Sequence, residues 1–215
     1  VRFDTIVVPR GAEARAVERG WPAPRPPIRE VVAGARAGDA LINGRVMPTV
    51  LVLGVCGALD PELRVGDAVA YGRVVVGETV LELDPELAAA CALTCGRAPV
   101  VAADVAAVIG AAAAKAALRA ASGAAVVDME AAAILRALQG RGARVAMVRV
   151  VSDDAHHDLP DLAGMYDSAG ALRPLVLAAA LARAPVRGVR FVLSALRALS
   201  ALSALAERLA QSAVE

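Results

Sequence analysis

Short apolar runs alternate along the chain with alanine-rich stretches of helical character, the pattern of an α/β protein. Residues 6–8 read as a strand and 12–19 as a helix. Pro22, Pro24, Pro26 and Pro27 exclude helix from 21–27 and predict a stiff loop there. Residues 28–32 read as a second strand, with a short helix ending near Leu41. Residues 49–53 form an apolar strand that should stop in a glycine turn at Gly54–Gly57. Further strands are predicted over 68–71, 73–76, 79–83, 100–102 and 145–151. Helices are predicted from Asp84-Pro85, over 111–121 and over 129–139. Asp84 can cap, and Pro85 suits a first turn. From Leu172 the chain reads as helical, with breaks near Pro185 and Gly188.

No internal repeat and no domain boundary is visible, so the expectation is a single α/β domain of 215 residues. It has a central mixed, twisted β-sheet flanked by helices, with 172–215 as an Arg/Ala/Leu-rich helical tail. The chain is 58% hydrophobic, which excludes disorder, but only 2% aromatic. Alanine supplies 52 residues, so the core must be built from Ala, Val and Leu. All 23 basic residues except Lys115 are arginines. A net charge of +1 argues against a nucleic-acid binder. The uncharged runs are shorter than a membrane span. Residues 1–8 do not read as a signal peptide, and Cys56, Cys91 and Cys95 read as small reduced thiols, so the expected compartment is the cytoplasm. No metal-ligand spacing surrounds them.

Three segments place polar groups directly after strands, where α/β sheets bind ligands. The first runs from Gly54, Val55, Cys56 and Gly57 to Asp67. The second is Asp128-Met129-Glu130 before an alanine-rich helix. The third is Ser152-Asp153-Asp154 at the end of a strand. Taken singly, each has a plain explanation: a tight turn, acids at a helix start, an N-cap.

In this order and spacing the three segments together resemble the nucleoside phosphorylase/nucleosidase superfamily, which includes the purine nucleoside phosphorylases and the methylthioadenosine/S-adenosylhomocysteine nucleosidases. The likeness spans about Phe3 to Pro160. The stretch Ala171–Leu175 and the arginine-rich tail look like the hopanoid-associated phosphorylase branch. The resemblance implies a phosphorylase/hydrolase-like fold, cleavage of the N-glycosidic bond of a purine nucleoside, and a homo-oligomer, a dimer or larger. Asp153 matches the acid that protonates or hydrogen-bonds the purine. With an ordinary carboxyl pKa of about 3.9, it would need burial or a carboxylate neighbour, Asp154 or Glu130, to keep a proton. Glu130 matches the ionised glutamate that accepts from the ribose hydroxyls, and Met129 a residue packed on the sugar. Glu13 matches the glutamate that activates water. Gly54, Val55, Cys56, Gly57 and Ser152 fall in the matched binding segments.

The chain also departs from the family. Val52 and Val55 stand where relatives carry Ser or Arg near the glycines. Ala106, in the segment with Val105, stands where nucleosidases place a Phe against the base. Only about 40 residues separate Glu13 from Gly54. Water is therefore favoured as nucleophile, with no cofactor. Inorganic phosphate, held by Arg10, Arg15 or Arg19, is the alternative co-substrate, and a catalytically weak nucleoside-binding protein the competing class. His156 and His157 read as solvated loop residues, with acid–base work as the alternative.

No acid lies between Asp167 and Glu207, whereas Arg173, Arg183, Arg187, Arg190 and Arg197 do. Val189, Val192, Leu193, Leu196 and Leu199 recur at helical spacing. Core packing or a subunit contact explains such a helix. Peripheral contact with an anionic membrane surface is the alternative, and would suit the lipid-linked nucleosides of the hopanoid-associated branch.

Overall fold

A computed structural model describes residues 2–42, 47–167 and 170–212. In chain order the elements are β1 (Thr5–Pro9), α1 (Ala12–Gly20), β2 (Ile28–Val31), β3 (Thr49–Ala58), β4 (Ala68–Val76) and β5 (Thr79–Glu82). They continue with α2 (Pro85–Cys95), β6 (Val100–Asp104), α3 (Ala112–Ser122), β7 (Val126–Asp128), α4 (Ala131–Gln139), β8 (Arg144–Asp153), α5 (Pro174–Arg183) and α6 (Pro185–Ser212).

The eight strands make one mixed sheet. Its path is β2-β1-β3-β7-β6-β4-β5, and β8 pairs with both β3 and β4. The sheet thus closes through β3, β8, β4, β6 and β7 into a ring. The predicted α/β architecture, a mixed central sheet flanked by helices, is the observed one.

Strand alternation builds two cores. Val50 and Val52 of β3, with Val145, Met147 and Val151 of β8, face α4 through Ile134, Leu135 and Leu138. Leu51 and Leu53, with Ala146, Val148 and Val150, face the other way, against α1 and the second half of α6. Both faces of β3 and β8 are covered, which is why these strands read as continuous apolar runs.

Three expectations are corrected. β3 continues through Gly54–Gly57 as strand to Ala58, because β8 pairs with it from Thr49 to Gly57, with a register shift at Cys56/Gly57, and β7 pairs with Gly57 and Ala58. The helix expected before Leu41 is two 3₁₀ turns, Gly34–Arg36 and Asp39–Leu41. α6 is unbroken at Gly188, a position with space for no more than hydrogen: a Cβ would lie 2.8 Å from the Leu181 carbonyl oxygen of α5. The break at Pro185 stands, between α5 and α6. The α2 start is as read, with Asp84 accepting from the Leu87 amide at 3.0 Å.

α6 buries Ala198, Leu202, Leu205, Ala206 and Leu209 against α1 and the sheet. The close approach depends on Gly20 at the end of α1, where a Cβ would sit 1.9 Å from the backbone oxygen of Ser203. Backbone cannot yield there as a side-chain tip would. Gly20→Ala should therefore cost at least about 1–3 kcal/mol, read as a lower midpoint in urea unfolding at unchanged slope.

Candidate active site

β3 and β8 run parallel, with Gly54 beside Arg149 and Gly57 beside Asp153. Arg149 is fully buried. Its Nε donates to Asp128 Oδ2 at 2.8 Å and its Nη1 to the Leu53 carbonyl at 3.0 Å. A Cβ at Gly54 would lie 2.1 Å from Arg149 Nη1 and 2.7 Å from Glu13 Oε2. One at Gly57 would lie 3.0 Å from Asp153 Oδ2. The glycines therefore make room for charged side chains of the protein itself, not for a tight turn.

Asp128, at the end of β7, is the counter-ion. Besides Arg149, its Oδ2 accepts from the Tyr71 hydroxyl at 3.0 Å, and its Oδ1 from the amides of Glu130 and Ala131 at 2.8 and 2.9 Å. Burial works against its charge, but Arg149 and these donors hold its carboxyl below the ordinary range. These contacts offset the cost of burying the pair, although Arg149 Nη2 has no hydrogen-bond partner.

Two carboxyls stand near that pair. Glu13, on the first turn of α1, accepts from the Val55 amide at 2.8 Å. Burial raises its pKa to about 7, against the pull of Arg149 and the amide. Glu130, just before α4, accepts from the Gly34 amide at 2.9 Å. Burial and then the Asp128 charge raise it to about 8, a direction that favours the neutral carboxyl over the ionised one expected from the sequence. A neutral carboxyl can give one hydrogen bond and accept others, which suits a vicinal diol equally well.

Asp153 closes β8. Ser152 Oγ lies 2.7 Å from its Oδ1 and 3.0 Å from the Cys56 carbonyl, so its single proton serves one of the two at a time. Oδ2 accepts from Lys115 Nζ of α3 at 2.5 Å. The group against Asp153 is thus an ammonium, not the carboxyl of Asp154 or Glu130. The Asp154 side chain turns instead to the His157 ring at 2.9 Å and the amides of His156 and His157. Burial opposes its charge, but these contacts hold its carboxyl below the ordinary value. His156 meets the Pro61 carbonyl. Neither histidine lines the cavity described next.

One cavity of about 350 Å³ is lined by Glu13, Val55, Cys56, Gly57, Val105, Met129, Glu130, Ser152 and Asp153. Gly54 does not line it, and Ala106 lines an adjoining cavity of about 460 Å³ instead. Tyr166 and Phe191 also line it, while Phe3, Trp21 and Tyr71 are core residues. Burial and the nearby Glu13 and Glu130 push the Tyr166 hydroxyl up to about 12. No arginine or lysine lines the cavity among the described residues. Arg10, Arg15 and Arg19 are exposed. Cys56 is buried in the cavity wall, with its thiol pushed up by burial, and Cys91 and Cys95 lie in α2; all three are free.

Two residues escaped the sequence reading. Arg149 looked like part of a strand. Lys115 carried a visible signal, as the one lysine among 23 basic residues, but it sits in an alanine helix without a motif.

No family model and no curated protein matches the sequence. Solved structures do match. The fold superposes on the 5′-methylthioadenosine/S-adenosyl homocysteine nucleosidase of Campylobacter jejuni with a TM-score of 0.66 at 12% identity, over 97% of this chain and 99% of that one. The corresponding Helicobacter pylori enzyme, bound to butyl-thio-DADMe-Immucillin-A, gives 0.65 at 16% identity, over 94% and 96%. The native futalosine hydrolase of Helicobacter pylori gives 0.61 at 16% identity, over 89% and 96%. The chain shares its fold with these nucleosidases and with futalosine hydrolase. A further match, the MTA/SAH nucleosidase of Colwellia psychrerythraea, holds adenine and gives a TM-score of 0.65 at 15% identity, over 97% of this chain and 98% of that one.

Removing one half of the central ion pair should be more damaging than removing both. Arg149→Met should cost about 3–5 kcal/mol, because Asp128 is left charged and buried. Adding Asp128→Asn should return part of that loss. A double-mutant cycle in urea, showing a coupling well above 1 kcal/mol, is the check.

Proposed function

We propose that the protein hydrolyses the N-glycosidic bond of a purine nucleoside. The observation that carries this reading is the convergence of Glu13, Glu130 and Asp153 on one cavity from the ends of β1, β7 and β8. Glycosidic cleavage needs three things: a base that can leave, a held sugar, and a nucleophile on the opposite face. Asp153 meets the base and Glu130 binds the ribose diol, with Met129 against the sugar. Glu13 takes a proton from the attacking water. Its pKa near 7 suits that role, since a general base works best when poised near the operating pH. The transition state carries positive charge on the sugar, and an acidic cavity favours it. Tyr166 or Phe191 supplies an aromatic face for the base where Ala106 cannot.

The same electrostatics favour water over phosphate. A phosphate dianion in this cavity would face Glu13 and Asp153 with no lysine or arginine on the wall. The superposed nucleosidases and futalosine hydrolase support a hydrolytic reading that needs no cofactor. Three free thiols fit a reducing, cytoplasmic setting.

We further propose that α5 and the first half of α6 rest on an anionic membrane surface. Val186, Val189, Leu193 and Leu196 are 77, 61, 62 and 59% exposed, and Leu175 of α5 85%. On α6, Val186, Val189, Leu193 and Leu196 form one stripe with Arg190 and Arg197 beside it, and Arg183 closes α5. Charge complementarity favours anionic lipid as the occupant, since a second copy of the chain would bring the same arginines and no acid.

Base release from a panel of purine nucleosides, followed by chromatography with and without phosphate, tests the activity. Release should be independent of phosphate, and kcat/KM should rise to a plateau as pH passes about 7 while Glu13 ionises. Glu13→Gln should lower kcat by about 100-fold or more. Release that requires phosphate would make the enzyme a phosphorylase, and no release from any nucleoside would leave a binding protein. For the membrane, the protein should float with phosphatidylglycerol-containing vesicles, weakly at high salt, and not with neutral ones. Absent flotation, together with a dimer by light scattering that Leu193→Glu dissociates, assigns the stripe to a second copy.

A further inference from the structure

We infer that Lys115 is the source of the proton taken by the leaving base, a positioning residue that acts through Asp153. The inference rests on the glycosidic-cleavage reading above. A carboxylate in contact with an ammonium accepts protons rather than supplying them. Asp153 Oδ2 lies 2.5 Å from Lys115 Nζ, and the other Asp153 oxygen is met by Ser152 Oγ. Both Asp153 oxygens thus already accept from donors of the protein, Lys115 Nζ and Ser152 Oγ. Nζ holds three protons.

Packing does not require this lysine. It is fully buried and is the only buried residue of α3. Its two contacts are Asp153 Oδ2 and the backbone carbonyl of Asp154, both 2.5 Å away. A methionine would fill the same volume and spare the cost of burying an ammonium. Every other basic residue in the chain is an arginine, which cannot release a proton near neutral pH. The one lysine lies directly against the carboxylate at the base position.

The step balances as follows. As the C1′–N bond breaks, its electron pair passes to the base. A proton moves from Nζ to Asp153 Oδ2 and from there to a ring nitrogen, leaving a neutral amine, a carboxylate and a neutral base. Water bonds to C1′ and gives its proton to Glu13. When products leave, that proton returns through solvent to the amine.

Two substrates and two variants test this. Purine nucleosides need a protonated leaving group, whereas p-nitrophenyl β-D-riboside releases a stable phenolate without one. Lys115→Met should lower kcat on the best nucleoside by about 100-fold or more with KM within about threefold, and should keep nitrophenyl riboside cleavage within about threefold. Lys115→Arg keeps the ion pair but withholds the proton, so it should show the same split, with thermal unfolding near wild type as the folding control. Nucleoside cleavage restored by Lys115→Arg would overturn the inference in favour of a purely electrostatic role. Equal loss on both substrates in both variants would overturn it in favour of a structural one. A wild type that cleaves no nucleoside overturns the parent reading, and this inference with it.

Discussion

A guanidinium sealed inside the sheet is the constraint on which the rest of the site depends. Arg149 has no access to solvent, so its charge must be answered from within. Asp128 answers it directly, and Asp128 in turn is held by Tyr71 and the first amides before α4. The room for the guanidinium comes from Gly54 on the neighbouring strand, and Glu13 uses the same gap. One buried ion pair thereby fixes β3, β7, β8 and the starts of α1 and α4 relative to each other. It also sets the charge state around the cavity. Asp128 stays ionised, and its charge adds to burial in keeping Glu13 and Glu130 protonated up to about pH 7 and 8.

That gradation lets three similar side chains do different work. Glu13 sits near its midpoint at neutral pH and can exchange a proton with water. Glu130, pushed toward its neutral form, can both give and accept hydrogen bonds to a diol. Asp153 is set apart by an ammonium, and it is the carboxyl proposed to meet the base. Environment distinguishes them, not residue type. Tyr166, Phe191, Met129 and Val105 give the cavity an apolar wall beside these carboxyls.

Much of this was legible in the sequence. The strands that carry the site are buried on both faces and read as apolar runs, and Asp84-Pro85 announced α2 as such pairs do. Nine proposed site residues meet at one cavity because each lies in the last residues of a strand or shortly past its end, a place set by topology. Gly54 and Gly57 misled, because a glycine that clears space for a neighbouring side chain looks the same in sequence as one that bends the chain. The 3₁₀ turns before Leu41 escaped, since a short alanine- and glycine-rich stretch carries no period. Lys115 escaped because its partner is 38 residues away and its burial comes from tertiary packing, not from any local pattern. The scarcity of aromatics, by contrast, had a structural answer: three of the five are core, and the other two stand at the cavity.

The central claim is that this cavity holds a nucleoside with its base at Asp153 and its sugar at Glu130. A crystal structure with a purine C-nucleoside, whose carbon–carbon glycosidic bond cannot be hydrolysed, tests it most directly. The account predicts a ring nitrogen within hydrogen-bond distance of Asp153, the ribose diol on Glu130, and an aromatic face from Tyr166 or Phe191 against the base. A ligand bound outside the cavity, or inside it with the base turned away from Asp153, would contradict the account.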